Sequence, residues 1–189
     1  SIVGAIVLGR LMTRGMTAQR SLLLGGLLTA AGFTLAFFVR DATTPLVFVP
    51  AGILVALGLT AAALPYGTLV LGEAPAEFYG PVTSSRTTFG QLFYSLGTAV
   101  STVVVTQVTI AGITSRLHAT GMTDAAVSSA LASVGTYAKD GVRPDAAVFD
   151  IATAAYRDGF GAVMIGMAVI ALVASIVGAL LIRRAARHA

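Results

Sequence analysis

Cysteine is absent from this chain, and so is asparagine. The first absence excludes disulfides, thiolate metal sites and cysteine nucleophiles, and the second excludes N-linked glycosylation sites. Charge is also scarce, because only 11% of the 189 residues are Asp, Glu, Lys or Arg, against about a quarter in soluble domains. With 56% hydrophobic residues, a soluble fold could not bury all of this apolar surface, so we expect a membrane protein.

Four long runs of the sequence contain no Asp, Glu, Lys, Arg or His: residues 21–39, 46–72, 87–115 and 159–182. Each run is long enough for one membrane span, since about 20 apolar residues cross the hydrocarbon core as a helix. The sequence therefore predicts an all-α polytopic membrane protein with four complete transmembrane helices. The predicted spans are residues 19–39, 45–72, 83–114 and 159–182, with a long loop at 115–158 and a tail at 183–189.

The first residues form a shorter uncharged stretch, Ser1 to Gly9, before Arg10. This is about half a span, so residues 1–12 are predicted to be a partial transmembrane helix. We expect the sequence to be a piece of a longer protein.

Basic residues cluster at two places, and both are predicted to be cytoplasmic by the positive-inside rule. These residues are Arg10, Arg14 and Arg20 near the start and Arg183, Arg184 and Arg187 in the tail. Four complete spans between the clusters place them on the same side of the membrane. The net charge of +4 is spread among the span ends, so we expect the lipid bilayer and not a nucleic acid as the partner.

The loop at 115–158 is then predicted to lie outside, and its charges nearly balance. After Thr123 the apolar residues recur at helical spacing, at Val127, Leu131 and Val134, and a second short helix is predicted from Pro144 to Tyr156. We interpret both as amphipathic helices on the outer membrane surface. The alternative is a disordered loop.

Small residues and prolines indicate how the spans pack. The small residues are Gly25, Gly26, Thr29, Ala30 and Gly32 in the first complete span and Ala174 and Gly178 in the last. They allow helix backbones to approach closely inside a bilayer. Pro50 and Pro65 lie in the second complete span, where each is expected to permit a kink. That span is a candidate for lining a cavity.

The first basic loop carries a recurrent pattern. Residues 9–20 read GRLMTRGMTAQR, and Gly9, Leu11, Arg14 and Arg20 fall at the positions of the cytoplasmic loop motif of the major facilitator superfamily, Gly-x-Leu-x-Asp-Arg-x-Gly-x-x-x-Arg, with Gly15 one position before that motif's second Gly. Thr13 stands where that family has Asp. The chain thus resembles this superfamily at its first loop.

A broader similarity covers nearly the whole chain. Pro75, Gly80, residues 84–92 (SSRTTFGQL) and residues 96–100 (LGTAV) resemble the penultimate span of fourteen-span drug:proton antiporters of the superfamily. A long extracellular loop and one closing helix follow in those proteins, in the same order as here.

This resemblance implies that the chain is part of a major facilitator C-terminal half-bundle in a bacterial inner membrane, with a cytoplasmic C-terminus. The implied activity is export of drugs or other amphiphilic solutes in exchange for protons. The implied partners are the N-terminal half of the same transporter, which would carry the antiporter motif and the membrane-embedded acids, together with substrate and protons. No cofactor is implied.

Polar side chains in the spans are the candidate substrate contacts: Tyr66, Gln91, Tyr94 and Gln107. A Gln inside a span needs hydrogen bonds, so it is expected to face other helices or water. Hydrogen bonding between helices is the alternative to substrate contact. Together with Phe and Met residues, these groups would suit apolar or cationic drugs.

The loop from Glu73 to Arg86 is predicted to be cytoplasmic, since two complete spans separate it from the first basic loop. Its charged residues are candidates for a gate: Glu73, Glu77 and Arg86. Solvation at the helix ends is the alternative for the two acids, and an orientation toward the lipid headgroups is the alternative for Arg86. His118 and His188 lie far apart in sequence and on opposite predicted sides, so no metal site is expected. No catalytic motif is present, so an enzyme is not expected.

Two other functions stay open. One is a small membrane scaffold or regulatory subunit without transport of its own. The other is a major facilitator symporter for metabolites, which shares the fold and differs in the cavity.

Overall fold

The computed structural model of this chain describes residues 16–73 and 75–185; the side chains of residues 64–73 and 76 are not described. Throughout the described residues the protein is helical, and they contain no strand. The helices are α1 (Ala18–Phe38), α2 (Val49–Glu73), α3 (Tyr79–Ala119), α4 (Asp124–Asp140) and α5 (Ala146–Ala185). Short 3₁₀ turns at Pro45–Phe48 and Ala76–Phe78 precede α2 and α3.

Four helical segments of the described chain are long enough and apolar enough to cross a membrane. They are Ala18–Phe38, Pro45–Ala63, Tyr79–Ala119 and Ala146–Ala185. Two of these helices are much longer than the roughly 20 residues that one crossing takes, because α3 has 41 residues and α5 has 40. At a rise of about 1.5 Å per residue each is about 60 Å long, roughly twice the hydrocarbon core. Each of these two helices is therefore longer than one membrane crossing requires.

The ends of the helices follow from local chemistry. The hydroxyl of Thr17 accepts a hydrogen bond from the Arg20 amide (3.4 Å) and caps α1. Gly121 (φ 82°) lies in the turn between α3 and α4, and Gly141 (φ 72°) ends α4. Both adopt the left-handed backbone that glycine reaches without steric cost.

Pro50 differs from its prediction. It is the second residue of α2, where a proline removes no intrahelical hydrogen bond, because the first amides of a helix have no carbonyl partner. The missing hydrogen bond that makes an interior proline bend a helix therefore does not arise at Pro50. Pro65 remains in the helix interior.

The predicted outer segment at 115–158 is also arranged differently. Residues 116–119 are the last turn of α3, and a helix does begin just after Pro144 and Asp145. This helix does not stop at Tyr156, however. It continues without a break as α5 to Ala185, so the second predicted short helix is the N-terminal part of the same helix that contains the last predicted span.

The chain divides into two compact units, and the boundaries fall inside α3 and α5. The first comprises the described residues up to Tyr94 together with those from Met164 onward, and the second is Ser95–Val163. In the first unit, α1 and α2 pack closely because glycines face backbone. A Cβ placed on Gly25 would lie 2.7 Å from the Gly58 carbonyl oxygen and 2.6 Å from the Ala62 nitrogen. The small residues predicted to mediate packing on α1 are all buried.

The same α1 helix also contacts the C-terminal part of α5 within this unit. Gly26 faces Ser175, and a Cβ on Gly178 would lie 2.7 Å from the Leu22 side chain. Ser175 is buried, whereas Ala174 is exposed. The contact residue is thus one position later than the sequence indicated, because a helix turns by about 100° per residue.

A polar contact joins α1 to α2 in this unit. The Ser21 hydroxyl donates a hydrogen bond of 2.8 Å to the Ala61 carbonyl oxygen, and Ser21 is fully buried. In a regular helix this carbonyl would accept from the amide of the residue four positions later. That residue is Pro65, which has no N–H. Ser21 therefore supplies the donor that the proline lacks.

In the second unit, α4 packs its apolar side against α3 and α5. The core contains Ile113 and Leu117 from α3, Val127 and Ala130 from α4, and Val148 and Ala155 from α5, with Leu131 and Val134 packed against it. The predicted helix after Thr123 is thus present, but its apolar face is covered by protein. Apolar residues at helical spacing predict that one face of a helix is buried, but they do not specify what covers that face.

Candidate functional site

The predicted cytoplasmic motif falls largely outside the part of the chain that the structure describes. Gly9, Leu11, Arg14 and Gly15 lie outside the described residues. Arg20 is described and is exposed in the first turn of α1.

The predicted gate is described in part. Glu73 is the last residue of α2, and its side chain is outside the described set, as is that of Tyr66. Glu77 lies in the 3₁₀ turn just before α3, and Arg86 lies two turns into α3. Both are exposed.

The dominant feature of the predicted site is the exposure of α3. Of its most apolar 18-residue window only 6% is buried, against 39% for α1. Every residue from Thr83 to Leu96 is exposed, so no described helix covers any face of this segment. A helix that is apolar on all sides could meet lipid in this way, but α3 is not such a helix.

One side of α3 is polar along much of its length. Its residues are Ser84, Thr88, Gln91, Ser95, Thr98 and Thr102, which we call the polar stripe. Their spacings of three and four keep them on one face of the helix. The opposite face carries Phe89, Phe93, Leu96, Val100 and Val103, and all five are exposed.

Three hydroxyls of the polar stripe bond locally to their own helix. Ser84 donates to the Pro81 carbonyl (3.0 Å), Thr88 to the Ser84 carbonyl (3.0 Å) and Thr102 to the Thr98 carbonyl (2.9 Å). Their protons are thereby used, while oxygen lone pairs remain as acceptors. Gln91 adds an amide with two donors and one acceptor oxygen. The stripe can therefore offer hydrogen bonds of both kinds.

Three of the predicted contact residues, Gln91, Tyr94 and Gln107, lie on α3 and are divided between its two faces. Gln91 and Tyr94 are three residues apart and lie on neighbouring positions of the polar side. Gln107 lies 16 residues beyond Gln91, about 160° around an ideal helix. It therefore shares the apolar face with Val100 and Val103, and the two glutamines do not face one compartment.

Hydrocarbon cannot provide hydrogen-bond partners, so a polar stripe in a span is placed against water or another protein segment. Of the stripe residues, only Gln91 was predicted from the sequence as a contact, and the Ser and Thr residues were not. The signal was present in the spacing of Ser and Thr from residue 84 to residue 102. A single hydroxyl in a span is weak evidence for a polar surface, because it can bond to its own helix.

Comparison with known proteins finds no match among family models, curated proteins or solved structures.

Proposed function

We propose that this chain is the C-terminal part of a major facilitator drug:proton antiporter in a bacterial inner membrane. In this proposal the transporter exports amphiphilic solutes in exchange for protons by alternating access. The C-terminus is cytoplasmic, and the N-terminal half of the same transporter completes the cavity. The motif similarities of the sequence and its four apolar helices support the assignment.

The observation that carries the proposal is the exposed polar stripe on α3. A transporter needs a polar surface at membrane depth where water and solute can enter. The polar stripe supplies such a surface, and the aromatic ring of Tyr94 beside it suits an amphiphilic solute. The apolar residues opposite the stripe, from Phe89 to Val103, would then contact lipid.

Proton coupling is assigned elsewhere in the transporter. From residue 79 to residue 119 the sequence has no Asp or Glu, and membrane-embedded acids are the usual proton carriers. We therefore place the carrier in the N-terminal half. Glu73, Glu77 and Arg86 are proposed as a gate on the cytoplasmic side.

Cysteine accessibility tests whether the polar stripe faces water. Single cysteines replace Ser95 or Thr102 on the stripe and Val100 or Val103 on the apolar face, in the native polypeptide that contains this sequence. Any cysteine elsewhere in that polypeptide is first replaced by serine. A membrane-impermeant cationic methanethiosulfonate is expected to label the stripe positions and to leave the apolar positions unlabelled. Equal labelling of the two faces would contradict the proposal.

Transport itself is tested in proteoliposomes that contain the native polypeptide and an imposed pH gradient, with ethidium as the solute. The variant Gln91→Leu is expected to lower the initial rate by about tenfold, the effect of losing one hydrogen bond of about 1.4 kcal/mol. Gln107→Leu is the matched control and should keep the rate. No gradient-dependent flux, or equal losses in both variants, would argue against the antiporter.

A scaffold without transport is the second candidate, and the local bonding of the stripe hydroxyls favours it. Hydroxyls that already bond to their own helix are suited to close packing against a neighbouring helix. In that case the stripe cysteines would stay unlabelled and would form disulfides with cysteines on a copurifying partner.

A further inference from the structure

The second unit contains a cavity that the transport proposal does not use. It has a volume of about 340 Å³ and lies among α3, α4, α5 and the segment before α5. Tyr137, Phe149 and Tyr156 contribute aromatic rings, Pro144 closes one side, and Thr109 adds a wall from α3. All of these residues belong to Ser95–Val163, so the cavity is formed within one unit.

The aromatic wall of this cavity is held in place by defined contacts. The Phe149 ring meets the Tyr137 ring edge to face, with centroids 5.4 Å apart. The Arg143 guanidinium lies 4.1 Å from the Phe149 ring centroid. Such contacts contribute of the order of 1 kcal/mol each. Phe149 is therefore fixed before any ligand arrives, which lowers the entropic cost of binding.

The charges around the cavity indicate what it can accept. Its lining is almost entirely apolar and includes no charged residue. The nearby Arg143 is stacked on Phe149, and Arg116 is paired with Asp158. A charged ligand would lose its hydration here without gaining a counterion from the lining residues, at a cost of several kcal/mol. A neutral ligand carries no such penalty.

We propose that this cavity is a binding site for a small uncharged aromatic molecule, separate from the polar stripe. The volume lies at the lower end of the range for ligand pockets, roughly 300–1,000 Å³, and so fits one or two fused rings. Aromatic walls favour a planar ring through edge and face contacts. Tyr137 and Tyr156 are 39% and 55% exposed, so the ligand enters past these two side chains.

The test uses the absence of cysteine from this sequence. Thr153 lines the cavity and is replaced in Thr153→Cys, while the exposed Ser128 on α4 is replaced in the control Ser128→Cys. Both variants of the full chain are placed in lipid nanodiscs and labelled with methyl methanethiosulfonate, with 1-naphthol as the probe. At a probe concentration about ten times its dissociation constant, labelling of Thr153→Cys should slow by about tenfold. The control should be unaffected.

Two comparisons make the outcome decisive. The anion 1-naphthalenesulfonate and the uncharged chain 1-decanol should give no protection at the same free concentration. Ala138 lines the cavity and is exposed, so Ala138→Trp should abolish protection, whereas Ala125→Trp on the exposed part of α4 should preserve it. Lack of protection by 1-naphthol, or equal protection by the sulfonate or by decanol, would overturn the proposal.

Discussion

The hydroxyl of Ser21 on α1 is the hydrogen-bond partner of the Ala61 carbonyl on α2, at 2.8 Å. Pro65 explains why this bond crosses between two helices, because it deprives that carbonyl of its intrahelical donor. In a bilayer an unpartnered carbonyl is costly, and neighbouring Ser or Thr side chains commonly satisfy it. Ser21 on α1 therefore compensates for the hydrogen bond that Pro65 removes from α2.

Ser21→Ala should lower the free energy of unfolding by about 1 kcal/mol, because it leaves the buried Ala61 carbonyl without a donor. In a Pro65→Ala background the same substitution should have almost no effect, since residue 65 then supplies its own N–H. Unfolding by SDS in mixed micelles, followed by circular dichroism, measures the four variants. The same loss in both backgrounds would refute the pairing.

Gly25→Ala should destabilise the chain by about 1–3 kcal/mol, because the added methyl group would overlap backbone atoms of α2. Gly52→Ala is the matched control on α2, where no atom lies within 4 Å of the new Cβ. The control should be neutral or stabilising by up to about 1 kcal/mol, as alanine favours helix. The same unfolding assay compares them, and equal effects would show that α1 and α2 are not in close contact at Gly25.

Arg116 and Asp158 form an ion pair between α3 and α5 within the second unit. The two side chains are 39% and 50% exposed, so solvent screens the pair and Asp158→Asn should cost no more than about 1 kcal/mol. The exchange variant Arg116→Asp with Asp158→Arg should recover most of that loss. High salt should reduce the difference between the native chain and Asp158→Asn. A loss that persists unchanged in high salt would show that the pair is not the cause.

Leu117→Ala should destabilise the second unit by about 2–5 kcal/mol, because Leu117 is fully buried in its core. Leu96→Ala on the same helix is the control, since Leu96 is 53% exposed and its loss should change stability by less than about 0.5 kcal/mol. Hydrogen exchange of the α4 amides gives a local readout. Unchanged protection of α4 in Leu117→Ala would contradict the packing of α4 on α3.

Several features could be predicted from the sequence. Uncharged runs bounded by Arg, Asp and Glu mark the spans, because an unpaired charge is costly in hydrocarbon. The helix that begins after Thr123 follows from the spacing of Val127, Leu131 and Val134. Small residues on α1 correctly indicated a close helix contact, because only small side chains permit it. Each of these features depends on the residues of one segment and on the lipid or water around it.

Other features depend on a partner in space and were decided by the tertiary structure. The apolar face of α4 packs on α3 and α5 rather than on lipid, and Ser175 takes the contact expected of Ala174. Pro50 lies in a first turn, whereas Pro65 is compensated by a serine 40 residues away from Ala61. Sequence periodicity shows that a face must be covered, whereas the covering residues come from distant parts of the chain. Only the packed helices bring Ser21 to Ala61 and gather Tyr137, Phe149 and Tyr156 around one cavity.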